Sequence, residues 1–340
     1  MPSYSLRAAS ALIERGLAAD TDRQVLERVA ARYAIAVTPE IVGLIDPKDP
    51  NDPIARQFIP HGDELVTTQD EISDPIGDAA HSPIKGIVHR YPDRVLLKPL
   101  HACPVYCRFC FRREQVGPGG DMLKDADLDG ALDYIRSHPE IWEVILTGGD
   151  PLMLSPRRLG GILDALEAIP HVVILRIHSR VPIVDPKRVT RALLAALKRR
   201  KPLWIAIHAN HPRELTDEAA TACARLIKAG AVLLGQSVLL RGVNDDVDVL
   251  ERLFRAMVAC RIKPYYLHHP DLAPGTARFR LTIAEGQAIM RQLRGRLSGV
   301  AQPTYVLDIP GGAGKVPIGP NSVEDGGVRD PAGRLHQYPE

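Results

Sequence analysis

Between Arg94 and Ile309 the hydrophobic pattern switches repeatedly between two rhythms. Short runs rich in Val, Ile and Leu read as strands: "RVLLKPL", "EVILTG", "VVILRIH", "PLWIAIH", "AVLLGQSVL", "KPYYLHH" and "PTYVLDI". Between them lie amphipathic stretches of helical period: "LDGALDYIRSH", "PRRLGGILDALEAI", "PKRVTRALLAALKRR", "TDEAATACARLIKAG", "VDVLERLFRAMVAC" and "IAEGQAIMRQLRG". Strands each followed by a helix imply a parallel sheet with helical crossovers. Six such units and one extra strand are too few for an eight-fold barrel. The expected architecture is α/β, an open, partial (β/α)6 barrel over residues 86–325. The loops after its strands then share one mouth, which gathers polar and glycine-rich segments scattered along the chain.

Residues 1–85 form an accessory segment, a candidate lid over that mouth. "LRAASALIERG" and "DRQVLERVAARYA" predict helices, and "TPEIVGLID" a short turn of helix. "DPKDPNDPIARQFIP" reads as extended loop, and residues 326–340 as a short tail. Of the 340 residues, 45% are hydrophobic and 25% charged, an ordinary globular balance. The net charge of +2 gives no footprint for nucleic acid, and no apolar run is long enough to span a membrane. Neither a signal peptide nor an evenly spaced disulfide framework is visible, so the expected address is the reducing cytoplasm.

Three of the five cysteines crowd into "CPVYCRFC", as Cys103, Cys107 and Cys110. Cys223 and Cys260 fall within helical pattern and read as small buried hydrophobes. Thiolates are soft ligands, suited to zinc or iron–sulfur clusters. A cluster of the [4Fe–4S] type takes four cysteines, so three leave one iron open. The alternatives are a zinc site completed by His101 or three unligated thiols. "ILTGGDPL" brings Gly148, Gly149 and Asp150 to a strand end, where glycines permit close backbone approach. "LDIPGGAGKVP" sets Lys315 behind a glycine run. It departs from a phosphate loop because Val316 follows the lysine, and a Schiff-base lysine or a surface lysine both remain open.

The cysteine loop resembles that of the radical S-adenosylmethionine (radical SAM) enzymes. In that family the open iron binds S-adenosylmethionine, and reductive cleavage yields a 5′-deoxyadenosyl radical. Phe109 matches the aromatic residue that packs near the adenine. More narrowly, "HRYPDRVLL", the cysteine loop with "RR" after it, "TGGDPL", "IHANHP", "GQSVLLRGVND" and "DIPGGAGKVP" resemble, in order, the lysine 2,3-aminomutase family, over about residues 50–325.

That resemblance implies the roles. Cys103, Cys107 and Cys110 hold the [4Fe–4S] cluster, and Lys315 carries pyridoxal 5′-phosphate (PLP). Arg90, Tyr91 and Arg94 grip the PLP phosphate. Gly148, Gly149 and Asp150 receive the methionine amino group of S-adenosylmethionine. His208, Asn210, Gln236 and Arg241 are further cofactor contacts. Arg112 pairs with the substrate carboxylate, while Asp271 and Asp308 hold its distant ammonium. The implied activity is migration of the 2-amino group of L-lysine to C3, giving β-lysine, with an electron donor such as flavodoxin or ferredoxin.

Longer family members continue in a cysteine-bearing, zinc-binding tail. The 25 residues after Lys315 contain no cysteine, so no zinc is expected and the oligomeric state stays open. The short length resembles the branch that makes β-lysine for elongation factor P, though that branch tends to lack the arrangement around Asp308. Service to that factor, another amino acid as substrate, and a non-catalytic iron–sulfur or zinc protein therefore stand as alternatives. An acidic side chain is disfavoured because Asp271 and Asp308 would repel it.

Overall fold

In the computed structural model, residues 5–117, 119–324, 327–330 and 333–337 are described. Among them nine strands form one sheet: β1 (Ile87–Tyr91), β2 (Arg94–Leu100), β3 (Glu143–Gly148), β4 (Ile174–Ser179), β5 (Leu203–His208), β6 (Val232–Val238), β7 (Lys263–His268), β8 (Thr304–Ile309) and β9 (Gly314–Pro317). Their order in space is their order in sequence. Strands β2 to β8 run parallel, the expected six units and one strand. Two strands escaped the sequence reading, β1 and β9, which pair antiparallel at the two edges. They are hairpin partners, each joined to its neighbour by a short turn, so no crossover pattern announces them. The edges do not pair with each other in the sheet, but the Lys315 amide on β9 donates to Tyr91 Oη on β1 at 2.7 Å.

The accessory segment carries α1 (Ala9–Glu14), α2 (Arg23–Arg32), α3 (Pro39–Val42) and α4 (Pro53–Phe58); the crossovers carry α5 (Asp125–Arg136), α6 (Pro156–Glu167), α7 (Val181–Val184), α8 (Arg191–Leu197), α9 (Asp217–Lys228), α10 (Val247–Ala259) and α11 (Ile283–Arg296). Helix α4 corrects the extended-loop reading of residues 46–60. Asp52 caps it, accepting from the amides of Ile54 and Ala55 at 2.9 and 2.8 Å, and Pro53 fits the first helical position. The third crossover, expected as one helix over 186–200, is broken; Thr190 caps α8 by accepting from the Leu193 amide at 3.2 Å. Past β9, Val323–Glu324, Gly327–Arg329 and Leu335–His336 form a small antiparallel sheet, in place of a plain tail. The rest of the expected tail (residues 326, 331, 332 and 338–340) lies outside the described residues. No helix among the described residues is long and apolar enough to cross a membrane.

Alternation along the strands decides what the barrel encloses. Leu175, Ile177, Leu203, Ile205, Ile207, Leu233 and Leu267 are buried in one core with helix residues such as Leu163, Leu226 and Leu253. The intervening positions face the lumen and are half-buried and mostly polar: Lys98, Arg176, His178, Trp204, His208, Gln236, Tyr266, His268 and Asp308. The same core extends into the accessory segment through Leu12, Leu26, Ile41 and Phe58.

Polar contacts add to that seam. Glu64 is fully buried and accepts from Arg108 Nε at 2.9 Å and from Arg113 Nη2, both arginines belonging to the cysteine loop. Residues 71–82 then strap the mouth. Glu71 accepts from the Gly275 amide at 2.9 Å, the Ile72 amide donates to Leu272 O at 2.9 Å, and His81 Nε2 lies 3.1 Å from Gly312 O.

Burial alone would raise the pKa of Glu64, but Arg108 and then Arg113 outweigh it and hold the carboxyl below its usual value. Removing it strands two buried guanidinium groups. Glu64→Ala is therefore expected to cost about 3–5 kcal/mol in denaturant unfolding of the metal-free protein. The carboxylate's contribution is complete above the unfolded pKa of about 4.3 and is lost as pH falls through the lower folded value. Unfolding midpoints of wild type and variant should converge in acid; parallel pH profiles would contradict this.

Candidate active site

The cysteine loop leaves β2 at the mouth of the barrel and packs on the end of β3. The Gly149 amide donates to Leu100 O at 2.8 Å and the Asp150 amide to Ala102 O at 2.9 Å. Gly148 has φ +102°, and a Cβ there would stand 2.6 Å from Leu100 O; a Cβ on Gly149 would collide with Ala102 O. The two glycines thus serve first to seat the cysteine loop. The Asp150 side chain is spent inside the fold. It caps Leu152, and its Oδ2 accepts from Ser179 Oγ and the amides of Arg180 and Val181 at 2.7–3.0 Å. Four donors of the fold thus hold its carboxylate in place.

None of the five cysteines forms a disulfide. Burial first, then Asp150 and the neighbouring Cys110 and Cys107, push the Cys103 thiol well above its usual pKa, and burial and Cys107 push Cys110 to about 11. Metal binding would supply the charge that ionises them. Among the described residues no three His, Cys, Asp or Glu groups converge as one metal ion requires. Three soft donors spread along one loop fit a cluster, which distributes its cysteines over separate irons.

Arg180, which the sequence reading passed over in "HSR", organises the far side. Its Nη1 donates to Cys107 Sγ at 2.9 Å; its Nη2 donates to Gln57 Oε1 at 2.7 Å and Glu214 Oε2 at 2.6 Å. Asn210 joins this network, donating to Gln57 Oε1 at 3.1 Å and accepting from the Val238 amide at 2.8 Å. Phe109 stacks on His208 with ring centroids 5.6 Å apart.

Lys315 lies across from Asp308 in the β8–β9 register. Its ammonium is bonded to Asp308 Oδ2 and lies 3.3 Å from His268 Nδ1, while the Gln236 amide nitrogen lies 3.3 Å from His268 Nε2. Burial and then Lys315 hold the His268 pKa well below its ordinary value, and burial and Arg180 push His208 down to about 3. These imidazoles are neutral: they can accept a hydrogen bond from a neighbour but are poor proton acceptors. Asp271 forms no side-chain hydrogen bond or ion pair among the described residues. Burial and then Asp308 push it up to about 7. His178 Nε2, His208 Nε2 and Trp204 Nε1 are buried without hydrogen-bond partners among the described residues. A lumen with orphaned polar atoms beneath a lysine fits a polar aromatic cofactor.

Arg90 packs its guanidinium between Ile76 O, Asp78 and Asp308 Oδ1, the last at 3.5 Å. Arg94 bonds Asp93 at 2.8 Å and lies 4.0 Å over the Tyr91 ring. Arg112 is bonded to Asp78 through Nε and Nη2, while its Nη1 makes no hydrogen bond among the described residues. Arg241 does not reach the site. It is partly exposed and chelates Glu285 at 3.0 Å, because the loop after β6 turns outward onto the start of α11. Sequence reasoning missed Asp78, Lys98, Arg180, Glu214 and His268; a lysine inside an apolar strand was the visible signal for Lys98.

Residues 97–253 match the family model of the radical SAM superfamily, the class that this barrel and cysteine loop define. Residues 290–327 match the model described as lysine-2,3-aminomutase. The chain is 46% identical over 289 residues to the L-lysine 2,3-aminomutase of Clostridium subterminale, covering 85% of this chain and 70% of that one. It is 41% identical over 302 residues to the L-lysine 2,3-aminomutase of Acetoanaerobium sticklandii, covering 89% and 73%. The glutamate 2,3-aminomutase of Clostridioides difficile is 38% identical over 299 residues, covering 88% and 71%. The chain belongs to the lysine 2,3-aminomutase family of radical SAM isomerases.

Gly149→Ala is expected to unseat the cysteine loop. Iron and sulfide retained after anaerobic reconstitution should drop severalfold, while far-ultraviolet circular dichroism keeps its shape. Full cluster loading of this variant would refute the packing argument.

Proposed function

We propose that the protein moves the 2-amino group of L-lysine to C3, giving β-lysine, with Cys103, Cys107 and Cys110 holding a [4Fe–4S] cluster and Lys315 carrying PLP. The observation that carries the substrate is the acidic pair at the mouth. Asp308 already holds one lysine ammonium, that of Lys315, and Asp271 lies near enough for the Asp308 carboxylate to add to burial in raising the Asp271 pKa. A side-chain ammonium fits there; a glutamate carboxylate would be repelled.

When bound, the cofactors supply one-electron cleavage of a sulfonium and a conjugated ring that delocalises an unpaired electron. The chain's own residues bind, orient and shield. Arg112 takes the α-carboxylate through the Nη1 side that Asp78 leaves open, and Asp271 and Asp308 take the ε-ammonium. Together they fix both ends of an extended amino acid, so its middle carbons are held for reaction. Lys315 Nζ must give up a proton to act as a nitrogen nucleophile; Asp308 Oδ2 is the carboxylate in contact, and His268 Nδ1, held neutral, accepts a hydrogen bond that orients the amine. Tyr91 fixes the backbone of Lys315, and Arg90 and Arg94 flank it as phosphate partners. Phe109 and His208 form a ring platform for adenine, with Asn210 and Gln236 beside it. Residues 1–85 act as the cover that excludes water and oxygen, chiefly through the strap. The thiol chemistry suits a reducing cytoplasm, and an electron carrier of the flavodoxin or ferredoxin kind would reduce the cluster.

An anaerobic assay of reconstituted protein with L-lysine, L-glutamate and L-alanine tests this directly. β-Lysine, identified by mass and retention, should be the dominant product; turnover of glutamate alone would overturn the assignment. Lys315→Ala should lose the visible imine band that borohydride bleaches in the wild type, and a surviving band would place PLP elsewhere.

The raised Asp271 pKa gives a pH signature. Below about 7 the folded carboxyl is protonated and must lose its proton to pair with an ammonium, so affinity for L-lysine should weaken by up to tenfold per unit as pH falls. Asp271→Asn should bind more weakly and lose that component of the pH dependence. Equal slopes in spectral titrations of the two proteins would count against Asp271.

A further inference from the structure

Asp78 has no part in the mechanism above, yet it is buried against three cations of the site. It comes from the strap, not from the barrel. Its Oδ2 accepts from Nε and Nη2 of Arg112 at 3.0 and 2.8 Å. Lys98 Nζ lies 3.6 Å from the same oxygen, and Arg90 Nη2 lies 3.6 Å from Oδ1. Burial penalises the charge on Asp78, but Arg112, then Lys98 and Arg90, outweigh it and hold its pKa below the usual value. Oδ1 has no hydrogen-bond partner among the described residues, so the carboxylate is not a saturated structural pair. On Arg112, the Nε edge is taken, and Nη1 makes no hydrogen bond among the described residues.

The backbone brings Asp78 to this point by a tight fit. Gly77 has φ +68° and packs on the turn after β8, where a Cβ would stand 2.5 Å from the Gly312 amide nitrogen. The strap is therefore seated on the turn that leads to Lys315. Without an anion between them, Arg90, Lys98 and Arg112 would repel one another in a poorly hydrated site, and the Arg112 fork would be free to rotate.

We propose that Asp78 is a positioning residue for the substrate: it clamps the Nε edge of Arg112 and gathers Lys98 and Arg90 about one carboxylate, leaving Nη1 of Arg112 for the incoming α-carboxylate. This rests on the reading of Arg112 as the carboxylate's partner. Selectivity for a carboxylate over an uncharged group at C1 then depends on a residue that does not touch the ligand.

The test compares L-lysine with L-lysinamide, which replaces the carboxylate by an amide. Dissociation constants are measured by spectral titration of the reconstituted holoenzyme. Asp78→Asn should reduce the preference for L-lysine about 10–100-fold, the scale of a charge-assisted hydrogen bond. S-adenosylmethionine affinity and iron content should stay at wild-type values, and Asp78→Glu should restore part of the preference. An unchanged preference would overturn the proposal. So would a stronger one, because Asp78 would then be competing with the substrate. Arg112→Lys separates the two layers. If it collapses the preference while Asp78→Asn does not, Arg112 keeps its role and only the positioning by Asp78 falls. If neither variant changes it, the reading of Arg112 fails first. Should Asp78→Asn not fold, Gly77→Ala, which displaces the same segment from Gly312, must show the same loss of preference.

Discussion

A single carboxylate with no access to water holds the architecture of the site together. Glu64 binds Arg108 and Arg113, one on each side of Cys110, and Arg113 in turn donates to the carbonyls of Pro274 and Gly275. Accessory segment, cysteine loop and the loop after β7 therefore meet on one anion. Such a pair contributes little net stability compared with apolar packing, but breaking it is costly, which makes the seating of the loop nearly all-or-none. The loop that presents three thiols cannot drift without uncovering two buried guanidinium groups.

The lumen obeys a second constraint of the same kind. Polar side chains from β2, β4, β5, β6, β7 and β8 face inward, and their charges are matched in small groups: Asp78 among three cations, Asp308 with Lys315 and Arg90, Glu143 with Arg176. Histidines within this field stay neutral because burial and nearby cations both oppose protonation. The atoms left unsatisfied, on His178, His208 and Trp204, lie where a ligand would complete the set. A barrel whose interior is polar and incompletely paired is built to be filled.

Much of this was legible from local pattern. The seven parallel strands and the cysteine and lysine loops follow from periodicity and composition, because a strand buried against helices must be apolar whatever its neighbours. The alternation in "ILRIHS" and "LWIAIH" also announced a polar face, though short apolar runs hid it. The helix at Pro53–Phe58 was masked by prolines and aspartates that serve there as cap and first turn. Arg241 was expected at the site from the family resemblance, yet the direction of the loop after β6 carries it to Glu285. Asp78 carries no local signal at all: an aspartate in an irregular segment reads as a turn residue until its partners are known.

The sequence alone determined the class of fold, the crowding of three cysteines in one loop and the lysine behind its glycines, since these depend on residue type, short spacing and strand ends; the acidic pair came from the family resemblance. Only the tertiary structure decided which charges meet. Gln57 and Glu214 on Arg180, Glu64 on Arg108, and Asp78 on Arg112 join residues 34 to 123 positions apart, most of them reaching from the accessory segment to the barrel. Electrostatic pairing in a buried site depends on distance in space and on exclusion of water, and neither is written in the order of the residues.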